Sequence, residues 1–256
     1  MIECGYYNMD CLDGMGLIED KTIDMILCDL PYGTTRNAWD SVIPFEKLWK
    51  QYERIIKDNG VIALFSAQPF TTDLINSNRK LFRYDLVWDK VLSSGFLNAH
   101  KMPLRTHETI CIFYKKAPKY NPIMETRGAP REKGRKNDYT ADGKTCYGDY
   151  KAVSNVNNEY FPTSILTFSN GNRNDGRIHS TQKPVSLCEY LIMTYTDVGD
   201  LVLDNCAGSC STGIAAHKTG RKFIGFEIDK EYFEQSQRRL QQEQAQINLF
   251  DIGALL

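Results

Sequence analysis

The sequence predicts an α/β fold with a largely parallel sheet, because short buried strands alternate with amphipathic helices along the chain. Residues 22–29 form an apolar run that ends in turn residues, which is typical of a buried strand. Apolar side chains then recur at helical spacing from Phe45 to Ile56, and Asn59-Gly60 is predicted to end this helix. The chain of 256 residues is long enough to bury a large core without disulfides.

The alternation continues on both sides of a segment that lacks apolar runs. Before that segment, three further strands are predicted at residues 61–65, 84–88 and 109–114. After Pro184, the pattern predicts a helix, a strand, a helix, a strand and a polar amphipathic helix, at residues 185–194, 200–204, 211–218, 222–227 and from 229 to about 242.

The composition excludes several classes of protein. Hydrophobic residues make up 42% of the chain and charged residues 25%, which is ordinary for a globular domain and excludes a disordered chain. No apolar run is long enough for a membrane span, and the N-terminal residues do not match a secretory signal. The eight cysteines include no Cys-x-x-Cys pair, so no metal site is predicted, and Cys28 and Cys111 are interpreted as buried apolar residues. A reduced, cytoplasmic protein is therefore expected.

A basic segment interrupts the alternation at residues 116–151. It contains nine basic and five acidic residues, a net charge of +4 in a chain whose net charge is −1. Its tyrosines are available for stacking on bases: Tyr120, Tyr139, Tyr147 and Tyr150. The segment is either a solvated surface loop or a surface that binds phosphates.

A turn rich in small residues, from Asp204 to Gly213, lies between a predicted strand and a predicted helix. Such a turn lets the backbone approach a ligand closely, and the start of the helix offers free N–H groups. Glu227 ends the next strand, where a carboxylate can accept hydrogen bonds from ribose hydroxyls. The loop does not read Gly-x-Gly-x-x-Gly, so its residues alone fit a dinucleotide site, a nucleoside site or a turn without a ligand.

The tetrapeptide Asp29-Leu-Pro-Tyr32 follows a buried strand, at the edge where α/β sheets bind ligands. Pro31 has no N–H and favours an extended Leu30, so the Leu30 carbonyl can point into a site beside the Asp29 carboxylate. Two acceptors and the flat ring of Tyr32 suit a planar group that bears an NH₂. The other interpretation is a strand-to-loop turn that binds nothing.

In combination, the tetrapeptide and the small-residue loop resemble the DNA amino-methyltransferases of the N6-adenine and N4-cytosine family, which use S-adenosylmethionine. Asp10-Cys11 resembles the family's Asp-Cys pair that meets the cofactor adenine, and residues 179–184 resemble its His-Pro-Thr-Gln-Lys-Pro element near the cofactor methionine. Residues 223–229 are similar to the family's ribose strand. Residues 82–88 and 104–108 are similar to segments that flank its target pocket.

The order of the motifs resembles the β arrangement of this family. That arrangement implies a permuted Rossmann-like methyltransferase sheet with helices on both faces and an inserted target-recognition region. The implied parts are a catalytic half at 1–115, the basic insertion at 116–178, a cofactor-binding half at 179–243 and a tail at 244–256. The insertion is then expected to contact double-stranded DNA through Arg131, Lys133, Arg135 and Lys136.

The resemblance also implies which residues form the site. Catalytic roles are expected for Asp29, Leu30, Pro31 and Tyr32. Cofactor contacts are expected for Asp10, Cys11, Thr181, Lys183, Asp204, Ala207, Gly208, Ser209, Ser211, Thr212, Glu227 and Ile228. Three residues depart from the family pattern. Leu30 replaces a proline, Cys206 replaces a residue that is often aromatic, and Cys210 replaces a glycine. Because Cys210 carries a Cβ, it would resist a positive φ angle there.

The implied reaction is methylation of N6 of an adenine that is flipped out of double-stranded DNA. Asp29 favours adenine as a family tendency, while N4-cytosine methylation, RNA methylation and a non-catalytic DNA-binding relative stay open. The resemblance further suggests a bacterial or phage-infected cell, a restriction-modification role and a homodimer.

The C-terminal tail contains a second motif. Residues 246–250 resemble the Gln-Leu-x-Leu-Phe peptide that docks bacterial proteins on the replication sliding clamp. In that interpretation Leu249 and Phe250 anchor in an apolar pocket and Gln246 orients the peptide. The alternative is that these side chains pack on this domain or on a second copy of it.

Overall fold

The computed structural model describes residues 2–33, 41–133, 144–145, 148–149, 155–170 and 182–253, with only the backbone at 132–133, 144–145, 148–149, 155 and 246–253. The strands are β1 (Gly5–Asn8), β2 (Ile23–Asp29), β3 (Ile56–Ser66), β4 (Phe82–Ser94), β5 (Arg105–Phe113), β6 (Glu125–Lys133), β7 (Lys144–Thr145), β8 (Gly148–Asp149), β9 (Asn155–Tyr160), β10 (Ile165–Thr167), β11 (Leu201–Asp204) and β12 (Lys222–Glu227). The helices are α1 (Cys11–Gly16), α2 (Phe45–Ile55), α3 (Phe70–Ser77), α4 (Val185–Tyr195), α5 (Ser211–Lys218) and α6 (Lys230–Gly253), with a 3₁₀ turn at Phe96–Asn98.

The predicted α/β class and the mostly parallel sheet are confirmed. Eight strands form one sheet in the order β1-β12-β11-β2-β3-β5-β4-β10. Among these eight, β5 runs antiparallel to both of its neighbours, and the other pairs are parallel. The tetrapeptide strand β2 lies between β3 and the strand that enters the small-residue loop, β11. The sheet therefore brings the two sequence motifs to adjacent strand ends.

Helices cover both faces of the sheet. Ile26 and Cys28 of β2 belong to a core cluster that includes side chains of α1, α2 and α3. The intervening Met25 and Leu27 belong to a second cluster, with side chains of α4 and α5. This alternation along one strand fixes the register of β2, since a slip of one residue would exchange the two clusters. Cys28 and Cys111 are fully buried, as predicted.

The predicted helix end at Asn59-Gly60 is wrong. Helix α2 ends at Ile55, and the chain enters β3 directly at Ile56. The pairing of β2 with β3 shifts register in this stretch, and a Cβ on Gly60 would lie 2.9 Å from the Asp24 carbonyl oxygen. The glycine therefore permits a close approach of two strands rather than a helix terminus.

The C-terminal helix is longer than predicted. Helix α6 continues to Gly253, so the backbone of Gln246, Leu249 and Phe250 is helical and continuous with the rest of α6. The chain here is part of a helix and not a separate extended peptide. Docking on a sliding clamp stays a prediction.

Residues 122–163 form a compact unit separate from the rest of the chain. This unit begins later and ends earlier in the sequence than the predicted insertion, 116–178. Its described core is the antiparallel pair β6–β9, in which the guanidinium groups of Arg127 and Arg131 lie 5.3 and 5.9 Å from the centre of the Tyr160 ring. Of the basic residues predicted to contact DNA, the side chain of Arg131 is described, Lys133 is described by its backbone, and Arg135 and Lys136 lie outside the described residues.

No helix in the described part is long and apolar enough to cross a membrane. No group of three or more histidine, cysteine or acidic side chains suited to a metal ion occurs among the same residues.

The packing of α1 on the sheet predicts a specific sensitivity to an added methyl group. A Cβ on Gly14 would lie 2.5 Å from the ring of the buried Phe226, whereas a Cβ on Gly16 would meet no atom within 4 Å. Gly14→Ala should therefore lower the free energy of unfolding by about 1–3 kcal/mol. Gly16→Ala in the same helix is the control, and urea denaturation should show no loss for it. Equal stability of the two variants would contradict this packing.

Candidate active site

The ends of three neighbouring strands place acidic side chains at one edge of the sheet. Asp29 ends β2, Asp204 ends β11 and Glu227 ends β12. All three line a cavity of about 470 Å³, which falls in the range of small-molecule sites. The loops that follow these strands supply most of the remaining cavity wall, so the site is built by the carboxyl edge of the parallel sheet.

Every predicted catalytic and cofactor residue that the structure describes lines this cavity. The tetrapeptide contributes Asp29, Leu30, Pro31 and Tyr32. The predicted cofactor residues contribute Asp10, Cys11, Lys183, Asp204, Ala207, Gly208, Ser209, Ser211, Thr212, Glu227 and Ile228. Thr181 lies outside the described residues. Residues that are far apart in the sequence thus share one wall, although their roles toward a ligand stay predictions.

Both oxygens of the Asp29 carboxylate are held by neighbours. Asp29 Oδ1 accepts a hydrogen bond from the Tyr32 hydroxyl at 2.7 Å, and Asp29 Oδ2 accepts one from Lys183 Nζ at 2.5 Å. The Tyr32 ring in turn stacks on Phe70, with ring centres 4.9 Å apart. These contacts fix the orientation of the carboxylate while each oxygen keeps a lone pair for a further donor.

Lys183 belongs to a chain of four alternating charges, formed by Asp29, Lys183, Glu108 and Lys90. Its ammonium group lies between Asp29 and Glu108, 3.4 Å from Glu108 Oε2, and Lys90 Nζ lies 3.2 Å from Glu108 Oε1. Burial lowers the pKa of Lys183, but the two carboxylates raise it more, so its pKa lies above the usual value. Burial raises the pKa of Glu108, and the ammonium groups of Lys183 and Lys90 outweigh that effect and lower it. Lys183 and Glu108 are therefore both charged at neutral pH.

The small-residue loop is held by its own acidic residue. Asp204 Oδ1 accepts a hydrogen bond from Cys206 N at 3.1 Å, and its carboxylate also bonds the Thr212 side chain. Burial raises the pKa of Asp204 to about 6. Ser211 Oγ donates to the Lys183 carbonyl oxygen at 2.8 Å, which ties the loop to the segment that carries Lys183.

Cys210 adopts the conformation that its side chain was expected to resist. Its φ is +59° and its ψ is +31°, in the left-handed region, directly before α5. A non-glycine residue there costs about 1–2 kcal/mol. The buried side chain has room because residue 213 is glycine, where a Cβ would lie 2.5 Å from Cys210 Sγ. Cys210 does not line the cavity, so a cysteine in place of the family's glycine leaves the cavity wall open.

Glu227 and Asp10 each hold backbone N–H groups beside the cavity. Glu227 accepts hydrogen bonds from Gly208 N at 2.9 Å and from Asp229 N at 2.8 Å, and burial raises its pKa above the usual value. Asp10 caps α1 by accepting from Leu12 N at 2.8 Å. Both carboxylates therefore have a structural role in addition to any contact with a ligand.

Sequence reasoning did not assign roles to several polar residues around the site. Lys90 and Glu108 lie on adjacent antiparallel strands, where the register pairs Trp88 with Glu108. A charged residue within an apolar strand was the available signal, because such a residue needs a partner on a neighbouring strand. Arg239 of α6 donates to the Ser209 carbonyl oxygen at 2.8 Å, and no local pattern identified it.

Three features together define a Rossmann-like methyltransferase. The mostly parallel sheet is covered by helices on both faces. The small-residue loop is followed by an acid at the end of the next strand, and Asp-Leu-Pro-Tyr lines the same cavity. The family model described as DNA methylase, of the N6/N4 methyltransferases, matches residues 23–238. The chain therefore belongs to the N6/N4 DNA methylase family, whose methyl donor is S-adenosylmethionine.

Individual proteins agree with this assignment. The chain is 25% identical over 255 residues to the type II methyltransferase M1.MboII of Moraxella bovis, covering 90% of this chain and 94% of that protein. It is 29% identical over 245 residues to the DNA adenine methyltransferase YhdJ of Escherichia coli strain K12, covering 90% of this chain and 80% of that protein.

Solved structures confirm the fold. The M1.HpyAVI–SAM complex superposes with a TM-score of 0.62 at 20% identity, covering 92% of this chain and 98% of that one. The cytosine-N4-specific PvuII DNA methyltransferase superposes with a TM-score of 0.66 at 18% identity, covering 92% and 85%.

The contact between Lys183 and Asp29 predicts a positioning role for the lysine. Lys183→Met should lower kcat for DNA methylation by about 10- to 100-fold, because an Asp29 carboxylate that is no longer held departs from the reactive geometry. Lys183→Arg, which keeps the charge, should retain more activity than the methionine variant. Lys230→Met is the control, since that side chain is 80% exposed.

If Lys183 instead contacts the cofactor, as the sequence predicts, Lys183→Met should weaken S-adenosylmethionine binding and leave kcat nearly unchanged. Titration with S-adenosylmethionine distinguishes the two roles, because a positioning lysine leaves the dissociation constant nearly unchanged. A large loss of cofactor affinity with an unchanged kcat would contradict the positioning role.

Proposed function

We propose that the protein transfers a methyl group from S-adenosylmethionine to N6 of a flipped adenine in double-stranded DNA. The observation that carries this proposal is the position of Asp29-Leu30-Pro31-Tyr32 on the wall of the same cavity as the small-residue loop and Glu227. One cavity thus holds the acceptors for an amino group beside the residues suited to a nucleoside cofactor. The E. coli relative is itself a DNA adenine methyltransferase.

The chemistry of the cavity fits the cofactor. S-adenosylmethionine supplies a methyl group bound to a positively charged sulfur. Glu227 keeps a lone pair that can accept a ribose hydroxyl, since its two oxygens offer four acceptor positions and bond the backbone N–H groups of Gly208, Ile228 and Asp229. Gly208 has a φ of +49°, which lets the loop backbone pass close to a ligand.

Asp29 and Leu30 act on the amino group of the base. The lone pair of the exocyclic nitrogen is delocalised into the ring, which makes the nitrogen a weak nucleophile. Hydrogen bonds from its two N–H groups to the Asp29 carboxylate and the Leu30 carbonyl draw it toward a pyramidal, more nucleophilic state. Asp29 then accepts the surplus proton during or after transfer. Lys183 and Tyr32 hold the carboxylate in place throughout.

The target base reaches the cavity by leaving the base stack. A base inside a duplex cannot approach a carboxylate at the end of a strand, so the nucleotide is flipped out. Tyr32 lines the cavity and offers a ring for stacking, which is worth about 1–3 kcal/mol per base.

Methylation of cytosine N4 is the second candidate. It is favoured by the structural likeness to the cytosine-N4-specific PvuII enzyme, and cytosine presents a similar amino group. Asp29 is the residue that favours adenine. Base composition analysis of methylated plasmid DNA distinguishes N6-methyladenine from N4-methylcytosine.

Substitutions of Asp29 and Glu227 should affect two different steps, methyl transfer and cofactor binding. Asp29→Ala should abolish methyl transfer and leave cofactor affinity nearly intact, because Asp29 meets the base. Glu227→Ala should weaken S-adenosylmethionine binding by about 1–3 kcal/mol, because ribose hydroxyls lose a charged acceptor. Tritium transfer to unmethylated plasmid DNA and calorimetric titration measure the two effects. An Asp29→Ala protein with wild-type turnover would contradict the mechanism.

The basic segment at residues 116–151 is proposed to contact the phosphates of DNA. Neutralising Arg131, Lys133, Arg135 and Lys136 should weaken DNA binding and reduce the salt dependence of log affinity by about 0.9 per lost phosphate contact. The matched control neutralises four exposed lysines in the rest of the chain: Lys47, Lys50, Lys222 and Lys230. Fluorescence anisotropy with labelled duplex between low and moderate salt gives both slopes. Equal slopes for the two variants would assign the basic residues to a solvated surface.

A further inference from the structure

The β4–β5 hairpin carries an exposed apolar tip. Every residue from 91 to 107 is exposed, and the most exposed large apolar side chains of this stretch are Phe96 at 76% and Leu97 at 82%. Val91, Leu92 and Met102 are also more than half exposed. Several large exposed apolar side chains in one short stretch mark an interaction site more often than scattered single ones do.

The hairpin extends from the catalytic edge of the sheet. Ser66, the last residue of β3, pairs with Thr109 of β5, and Asp29 of β2 pairs with Phe65. The β5 arm continues four residues beyond Thr109 to Arg105, about 13 Å at 3.3 Å per residue, before the tip begins. The tip therefore projects past the edge at which the target base must enter.

The residues at which the hairpin leaves the sheet are connected to the Asp29 carboxylate by hydrogen bonds and ion pairs. Lys90 at the start of the projecting arm bonds Ser94 Oγ and Glu108 Oε1, both at 3.2 Å, and Ser94 Oγ donates to the Arg105 carbonyl oxygen. Glu108 in turn contacts Lys183, the partner of Asp29. The tip has its own backbone hydrogen bonds, from Asn98 N to Gly95 O at 2.9 Å and from Ala99 N to Phe96 O at 3.1 Å. The tip therefore has a hydrogen-bonded turn rather than an irregular loop.

The charge of the hairpin fits a polyanion. Residues 91–107 contain Lys101 and Arg105 and no acidic residue, in a chain whose net charge is −1. Two of the four histidines of the chain, His100 and His107, are also here. Apolar side chains flanked by cations match duplex DNA, in which stacked bases lie between two rows of phosphates.

We propose that the hairpin tip is a wedge that enters the base stack beside the target nucleotide, with Phe96 and Leu97 occupying the space that the flipped base leaves. The proposal rests on the proposed function, because a flipped base is what creates that space. Insertion of phenylalanine and leucine between bases offsets part of the lost stacking. The exposed cations Lys101 and Arg105 contact the adjacent phosphates.

The test compares paired and unpaired targets. Long-read sequencing of plasmid DNA methylated by the wild-type protein first identifies the methylated site. Synthetic duplexes then carry that site with the target base either paired or opposite an abasic position. The double variant Phe96→Ala/Leu97→Ala should lose about tenfold or more of kcat/KM on the paired duplex. On the abasic duplex it should lose about threefold at most, because that target is already unstacked.

Two further variants serve as controls. Val198→Ala removes a side chain that is 77% exposed on the loop between α4 and β11, and it should leave both rates unchanged. Phe96→Trp/Leu97→Met keeps a large apolar tip and should keep most of the activity on the paired duplex. Cofactor titration of each variant confirms an intact cavity.

Each outcome bears on one proposal. A wild-type protein that methylates no DNA overturns the proposed function. An active wild type whose alanine variant is equally impaired on both duplexes, or on neither, overturns the wedge. An alanine variant that loses self-association in sedimentation, with unchanged rates, assigns the tip to a contact between two copies of the chain and also overturns the wedge.

Discussion

The arrangement of the carboxyl edge of the sheet depends on the buried ammonium group of Lys183. It lies between the Asp29 and Glu108 carboxylates, and its side chain is 9% exposed. A buried charge without a partner is strongly unfavourable, so the three groups are stable only together. The ion pair joins residues 154 positions apart in the chain and connects β2 and β5 with the segment that precedes α4. The tetrapeptide, strand β5 and the segment before α4 are thereby held in one geometry.

Local patterns in the sequence predicted most of the sheet and the wall of the cavity. Short apolar runs identified β2, β11 and β12, and parallel strands bring their carboxyl ends to one edge whatever the loops between them do. Asp29, Asp204 and Glu227 could be assigned to that edge for this reason. The contacts that organise the edge could not be predicted in the same way. The partner of Lys183 is set by the packing of distant elements, and the cavity-side role of Glu108 depends on strand register rather than on its neighbours in sequence.

The errors in prediction have physical causes of the same kind. Asn59-Gly60 is a common helix-ending pair, but Gly60 is required where β3 passes the Asp24 carbonyl. Cys210 was expected to oppose a left-handed backbone, and it occupies one because Gly213 leaves space for its sulfur. In both cases a residue's local preference is overridden by a close contact with another segment. Such contacts are tertiary, so a single sequence does not contain a direct signal for them.

The chain of charges also connects the cavity with the surface. Its inner end is Asp29, which faces the target amino group in the proposed reaction, and its outer end is Lys90, at the base of the exposed β4–β5 hairpin. Glu108 joins the two halves, with one oxygen toward Lys90 and the other toward Lys183. Because the ammonium groups of Lys90 and Lys183 are buried, moving the start of the hairpin requires either a matching movement of Glu108 or the loss of an ion-pair partner by a buried group. The start of the hairpin and the Asp29 carboxylate are therefore coupled in position. A tip that marks the position of the duplex would then also fix the distance between the duplex and the atoms that accept the flipped base.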